Sequence, residues 1–360
     1  MSNYQIIGLS YAFIGILTCL VLAVEYRKKK TLNLSELPIS NAFIWITRIL
    51  VALLFIYSGF VKANDYIGFG YKLGEYFEEF GTLFMLPFAE PLAFVISTFE
   101  IALAFALLFG FQMRWIAWIL ILMMVFFTFL TGYSSITGHV TDCGCFGDAL
   151  KIEPWESFTK DIILLSMLIP VFIVRKYIKP IPTQTVAGLI FAFTWIISLA
   201  FGYYCHENLP VIDYRAYKVG VDVKACSDET QGIPKCKDYY AMGWVGEMPK
   251  VDELQGNVVM IISYDLETAN PQGLAKITQL ADKLQGTDIQ ILCGTGSGSS
   301  AIEQIQKTYT PVFGFSKRDK KAMKTIVRSN PGIVLLKDGI IKGKWHHNNT
   351  PTVEELREKL

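Results

Sequence analysis

The sequence predicts a polytopic α-helical membrane protein followed by a small α/β domain, and three observations carry that prediction. Hydrophobic residues make up 52% of the 360-residue chain against 18% charged, a balance too apolar for a soluble globule. Six apolar stretches, 6–24, 42–62, 84–109, 113–133, 160–174 and 184–204, are long enough to enter or cross a hydrocarbon layer of about 30 Å. About 150 more polar residues follow the last stretch, the length of one small domain. With 33 Lys and Arg against 32 Asp and Glu, the net charge of +1 leaves nucleic acid without an electrostatic footprint.

Topology follows from the basic clusters. Arg27, Lys28, Lys29 and Lys30 follow the first stretch, Arg114 opens the fourth, and Arg175, Lys176 and Lys179 follow the fifth, the shortest. Counting every stretch as a crossing puts all three clusters on one side, as the positive-inside bias requires. The N-terminus, the loops 63–83 and 134–159, and everything from 205 onward then lie outside the cytoplasm, which predicts a bacterial inner-membrane protein with its C-terminal domain in the periplasm. A cleaved signal peptide at 6–24 is the competing reading, but that stretch has no basic segment before it and basic rather than small residues after it.

Three regions result: a membrane domain over 1–204, an extracytoplasmic linker or subdomain over 205–256, and an α/β domain over 257–352. In the last of these, 257–262 (NVVMII) reads as a buried strand. Residues 271–284 carry Leu274, Ile277, Leu280, Ala281 and Leu284 at helical spacing, with Pro271 at the start. A strand at 288–293, a helix at 301–309, a short strand at 312–316 and a helix at 318–328 continue the alternation. The segment 331–341 reads as two strands joined by an Asp338–Gly339 turn. Helices on both faces of a mixed sheet are expected. Residues 205–256 lack periodicity, and their length fits a segment folded against its neighbours better than a free tether.

Of seven cysteines, Cys19 falls inside the first stretch and reads as a small apolar residue. Cys143, Cys145, Cys205, Cys226, Cys236 and Cys293 all fall outside the cytoplasm, where disulfides persist. Spacing does not tell whether Cys226 and Cys236 form a fixed staple or a pair that exchanges with Cys143 and Cys145. The densest signal is the loop His139, Val140, Thr141, Asp142, Cys143, Gly144, Cys145, Phe146, Gly147, Asp148. Two cysteines around one glycine bridge only with strain, which Gly144 accommodates and which favours exchange. His139 would raise the thiolate fraction while the aspartates oppose it. Structural pairing with other cysteines is the bland alternative. A metal is not expected, because only three good ligands occur locally.

Ionisable residues within the apolar stretches give a second signal. Arg48 and Glu100 sit at depths that agree to about one helical turn, which predicts a buried Arg48–Glu100 pair. Lys62, Asp65, Lys72, Glu75 and Glu90 are expected near the outer mouth, lining a quinone or solute pocket or merely anchoring helix ends.

The run Arg48, Tyr57, Ser58, Gly59, Phe60, Val61, Lys62, Asp65, Gly68, Phe69, Lys72, Leu73, Tyr76 and Phe77, with Glu100 and then Cys143–Gly144–Cys145–Phe146–Gly147, resembles the DoxX and MauE-like family over about 40–180. The resemblance implies a four-helix bundle with two additional spans. It also implies a quinone-linked or envelope thiol-redox role, MauE-like members accompanying maturation of a disulfide-rich amine dehydrogenase subunit. Over 257–345, including Asn330–Pro331 before a strand, the chain resembles a thioredoxin-like domain, in which the corresponding proline, Pro331, is cis and faces the active dithiol. Here it departs from the family, since Tyr264, Asp265, Leu266, Glu267 and Thr268 stand where Cys-x-x-Cys would be. Three functions remain open: a redox or maturation factor acting on an envelope protein with cysteines, a noncatalytic scaffold, and a small-solute transporter.

Overall fold

A computed structural model describes residues 3–29, 32–33, 36–140, 144–223 and 255–360. The chain divides into two compact units, Met1–Tyr203 and Tyr204–Leu360.

The first unit is helical: α1 (Asn3–Lys29), α2 (Pro38–Asn64), α3 (Tyr66–Glu79), α4 (Ala89–Phe109), α5 (Met113–Thr137), α6 (Pro154–Ile173) and α7 (Gln184–Glu207), which runs on into the second unit. Among the described residues four segments are long and apolar enough to cross a membrane: Pro38–Asn64, Leu83–Phe109, Met113–Thr137 and Gln184–Glu207. The protein is therefore embedded in a lipid bilayer. The first and fifth apolar stretches lie in α1 and α6. The N-terminal part of α6 carries Glu156, Lys160 and Asp161, which is why it reads as the weakest span.

Hydrophobicity is needed on both sides of these helices, one for packing and one for lipid. Val51, Ala52 and Phe55 of α2 join Leu103, Leu107, Leu120 and Leu168 in the bundle core, while Leu53, Leu122 and Phe129 stay exposed for acyl chains. Gly59 lets α2 approach α4 closely, since a Cβ there would stand 2.7 Å from Ile101 Cγ1 and 3.0 Å from the Ser97 carbonyl. Hydroxyls inside the bundle donate back to their own helix, Ser97 to the Ala93 carbonyl at 2.5 Å and Thr128 to that of Met124 at 2.6 Å, so no water is needed.

The second unit holds a five-stranded sheet of order β3-β2-β1-β4-β5, from β1 (Asn257–Ser263), β2 (Ile289–Thr295), β3 (Phe315–Lys317), β4 (Gly332–Lys337) and β5 (Ile340–His346). β1 is parallel to β2 and antiparallel to β4, β2 is parallel to β3, and β4 is antiparallel to β5. The helices α8 (Pro271–Leu284), α9 (Ser299–Tyr309), α10 (Lys320–Ile326) and α11 (Val353–Lys359) complete it. Period-two alternation sorts β1 between two cores. Val259 and Ile261 pack with Ile277 and Leu280 of α8 and Leu356 of α11, whereas Val258, Met260 and Ile262 pack with Met323 and Ile326 of α10. With both faces covered, a continuous apolar run is the expected sequence. The β4–β5 turn has positive φ at Asp338 (52°) and Gly339 (87°), as a two-residue hairpin requires. Past residue 352 the chain still belongs to this unit, because Thr352 caps α11 in a capping box with Glu355 and Leu356 is buried.

The described part of the 205–256 region folds onto this sheet. Asp222 bridges to Ile340, the Gly220 N–H donates to the Ile341 carbonyl at 2.8 Å, and Tyr217 and Val223 join the α10-side core. This segment also carries a buried charge cluster. Asp213 accepts from Arg215 Nε at 2.9 Å and Lys344 Nζ at 2.5 Å, with the Arg215 and Lys344 side chains only 4% and 3% exposed.

The titrating groups of this unit give it a signed pH dependence. Burial, with the Arg215 guanidinium, pushes Lys344 down to about 7 from 10.5. Burial, with His347 and His206, pushes His346 down to about 3 from 6.5. Burial alone would raise Asp213, but Arg215 and Lys344 outweigh it and hold the carboxyl at about 2 against 3.8. In each case the unfolded chain binds the proton more readily. Stability therefore falls as pH is lowered from 10.5 toward 7 for Lys344, from 6.5 toward 3 for His346 and from 3.8 toward 2 for Asp213. The slope is at most about 1.4 kcal/mol per pH unit for each titrating group. Pulse proteolysis in urea on the full-length protein in nanodiscs is expected to give a midpoint for this unit that rises from pH about 5 to about 9. A flat or falling midpoint would contradict the burial of these groups.

Candidate functional site

The outer-mouth constellation is built on the last turns of α2. Asp65 ends α2 and caps α3, its carboxylate accepting from the Gly68 N–H at 3.0 Å. That cap sets α3 so that Phe69 and Lys72, one turn apart, face the cysteine loop. α5 ends at Gly138, whose φ is 68°, in the left-handed conformation usual after a helix. The chain leaving it is pinned by Val140, which packs with Tyr76 and Leu130, and by His139, whose Nδ1 lies 2.5 Å from Glu79 Oε1. Tyr133 donates to the same oxygen at 2.7 Å. Hydrogen bonds from His139 and Tyr133 hold the Glu79 carboxyl below the usual range. His139 therefore bonds Glu79 and anchors the loop; the Cys143 thiol that the sequence sets near it lies outside the described residues.

Residues 141–143, including Asp142 and Cys143, lie outside the described residues, as do Cys226 and Cys236. From Gly144 onward the loop is seated against the bundle. Gly144 has φ of 67°, and a Cβ there would meet Lys72 Cγ at 3.2 Å and Phe69 at 3.6 Å, so the position needs glycine on two counts. Ser58 Oγ donates to the Cys145 carbonyl at 2.8 Å. Phe146 is buried, its ring 5.8 Å from that of Tyr57 and 5.2 Å from Lys160 Nζ. Gly147, at φ 48°, opens a 3-10 turn against Val61. Cys145 itself is half-buried.

The bundle holds two ion pairs, one buried on both sides and one with its lysine 22% exposed. Lys62 and Glu100, 2% and 3% exposed, pair across α2 and α4, with Lys62 Nζ 5.1 Å and 4.8 Å from the Phe69 and Phe127 rings. The Lys62 ammonium pairs directly with Glu100 Oε2. Lys160 bonds Asp161 at 2.6 Å, and Asp161 accepts from Thr131 at 3.0 Å.

The expected Arg48–Glu100 pair does not form. Helical side chains lean toward their own N-terminus. On antiparallel α2 and α4, Arg48 and Glu100 therefore diverge, while Lys62 and Glu100 converge. Arg48 instead donates to the Leu107 carbonyl at 2.9 Å and that of Leu108 at 2.7 Å, carbonyls of the last turn of α4 that have no acceptor role within their helix. Arg48→Met is expected to destabilise the bundle by about 1–3 kcal/mol, read as a lower unfolding temperature in detergent. An unchanged temperature would mean that other groups satisfy those carbonyls. Glu90 lies exposed in the first turn of α4, its backbone against Gly70.

In the second unit, residues 264–268 follow β1. Asp265 pairs with Lys320, and the Asn330 side chain donates to the Asp265 carbonyl at 2.6 Å and accepts from Ser263 Oγ at 3.1 Å. Pro331 follows a cis peptide bond. Cys293 is buried in the α8-side core, and burial raises its thiol pKa. Among the described residues no cluster of three or more His, Cys, Asp or Glu could hold a metal ion.

These features define a helical membrane bundle with a cysteine-bearing loop packed onto α2 and α3, joined to an α/β unit. Residues 40–175 match the family model described as methylamine utilisation protein MauE, and are a DoxX/MauE-like membrane segment. No curated protein and no solved structure matches the chain.

Proposed function

We propose that the protein is a thiol–disulfide redox or maturation factor of the bacterial inner membrane, with its N-terminus and α/β unit outside the cytoplasm. The observation that carries this reading is the seating of Gly144–Phe146 against the bundle, with the Cys145 carbonyl held by Ser58 and the Lys160 ammonium 5.2 Å from the Phe146 ring. A half-buried cysteine on a loop whose backbone is held against the bundle, next to a residue whose ring meets a lysine ammonium, is compatible with thiolate chemistry. Residues 40–175 match the family model described as methylamine utilisation protein MauE, and the maturation role is what the family resemblance of the sequence implies.

In this reading a thiolate at Cys143 or Cys145 attacks one sulfur of a substrate disulfide or of Cys226/Cys236. A new S–S bond forms, the old one breaks, and the departing sulfur takes a proton; the second thiol then resolves the mixed disulfide. The two electrons pass to or from a membrane quinone. The sheet order, the arrangement of Asn330–Pro331 against residues 264–268 and the absence of cysteine there support a thioredoxin-like unit that binds rather than exchanges. That absence also favours the second reading, a noncatalytic scaffold that recruits an envelope protein. Arg48, part of the motive for a transporter, is occupied in capping α4.

Cys143→Ser and Cys145→Ser test the first reading. Each single variant is expected to accumulate a mixed disulfide with Cys226, Cys236 or a substrate, visible on a non-reducing gel after acid quench. Unaltered migration in both variants would favour the scaffold.

A further inference from the structure

We propose that the edge formed by the start of α5 and the end of α6 binds the phosphodiester headgroup of an anionic phospholipid, an inference independent of the thiol reading above. Its first support is where cations stand without carboxylates. Toward the cysteine loop, Lys62 pairs with Glu100, Lys72 with Glu75, Lys151 with Asp148 and Lys160 with Asp161. At the opposite ends of α5 and α6, Arg114, Arg175, Lys176 and Lys179 make no ion pair among the described residues. The cause lies in the sequence, because no Asp or Glu occurs over 101–141 or 162–206, the stretches that hold these four cations.

Packing gathers them at one place. The Trp118 ring of α5 meets the Phe172 ring of α6 edge to face at 4.5 Å. The Arg175 guanidinium lies 3.9 Å from the centre of the Phe172 ring and 5.5 Å from that of Trp118, and its Nη1 donates to the Phe172 carbonyl at 2.6 Å. Arg114 precedes Trp118 by one helical turn, so it stands on the same stripe of α5, and the Trp118 side chain leans toward it. Lys176 follows Arg175 directly. The chain beyond is fixed to the α4–α5 turn, since the Ile181 N–H donates to the Phe109 carbonyl at 2.9 Å and a Cβ at Gly110 would stand 2.8 Å from the Lys179 carbonyl oxygen.

The surroundings select a lipid over a free anion. Trp115 and Trp118 are exposed at the end of a helix long and apolar enough to cross a membrane, the interfacial position of tryptophan. Leu122, Phe126 and Phe129 continue an exposed apolar surface along α5, and Ile169 and Ile173 do so along α6, so acyl chains have a path from the headgroup into the bilayer. A phosphodiester supplies the missing negative charge, with acceptor oxygens that suit the planar donors of a guanidinium. Positive charge beside a span sets topology in any membrane protein. That bias does not require a guanidinium held over two rings and tied to a carbonyl.

The test is native mass spectrometry of the full-length protein in detergent, titrated with phosphatidylglycerol and, separately, with phosphatidylcholine of the same acyl chains. The expected result is that the first phosphatidylglycerol binds about fivefold or more tightly than phosphatidylcholine, and that R114Q/K176Q/K179Q abolishes the preference. These three side chains are exposed, so the variant leaves the bundle core intact. R175Q should weaken the preference as well, and K72Q/K151Q, which removes cations elsewhere, should leave it unchanged. Equal binding of the two lipids by the unaltered protein, a preference that survives R114Q/K176Q/K179Q, or an equal loss in K72Q/K151Q overturns the proposal. Displacement of the bound phosphatidylglycerol by inorganic phosphate at about 10 mM would also overturn it, because the site would then hold a free anion without need of acyl chains.

Discussion

Glu100→Ala is expected to lower the stability of the membrane unit by about 3–5 kcal/mol, the range for removing one partner of a buried ion pair. The remaining Lys62 ammonium would be enclosed by the bundle, with the Phe69 and Phe127 rings as near neighbours. Cation–π attraction returns at most about 2 kcal/mol of the lost Coulomb energy. Lys62→Met should cost a similar amount by stranding the carboxylate. Because the penalty in either single variant is an unpaired charge, K62M/E100Q should recover most of the loss, which is strong coupling between the two positions. Unfolding temperatures of the four proteins in one detergent give the cycle. Additive losses would mean that the two side chains act independently and that the pair is not a unit.

Asp213→Asn is the second large effect, in the α/β unit. The carboxylate receives Arg215 through Nε and Nη2 at 2.9 Å and 3.2 Å and Lys344 at 2.5 Å. Without its charge, two cations with side chains 4% and 3% exposed face each other, and the expected cost is again about 3–5 kcal/mol. Lys344 offers partial relief, since burial and Arg215 already hold it at about 7 and losing Asp213 lowers it further. The penalty should therefore shrink as pH rises from about 6 to about 9, where Lys344 sheds its proton. Amide exchange of β4 and β5 at the two pH values reads this directly. A penalty independent of pH would show that Lys344 stays charged or that the cluster opens to water.

The fold was legible where a single physical period governs. The 257–262 run and the 271–284 spacing name β1 and α8 because each strand face and the helix stripe meet one core. Asp338–Gly339 names its hairpin because that turn demands positive φ. The strand expected at 312–316 and the helix expected at 318–328 are Phe315–Lys317 and Lys320–Ile326, since short edge elements carry little periodicity. Residues 205–256 carry no periodicity, and in their described part, 205–223, order comes from a bridge to β5 and the Asp213 cluster, which sequence distance conceals.

The site was legible in composition and less so in pairing. Gly144, Phe146 and Lys62 were singled out, yet depth alone chose the wrong partner for Glu100, because it ignores the lean of helical side chains. The signal was present: Arg48 and Lys62 lie 62 − 48 = 14 positions apart, nearly four turns, hence on one face of α2. Ser58 and the Lys160–Asp161–Thr131 chain gave no such signal, since serine and threonine in a membrane helix commonly bond their own backbone.

The central claim is that the cysteines at the outer mouth exchange. Its most direct test is disulfide mapping by mass spectrometry on protein acid-quenched without reductant, with free thiols blocked, across a graded series of glutathione and of quinol. The account predicts that Cys143/Cys145 and Cys226/Cys236 change partners at a potential above about −250 mV. Bridges that stay fixed to below about −300 mV would contradict it and leave the cysteines as staples of a membrane scaffold.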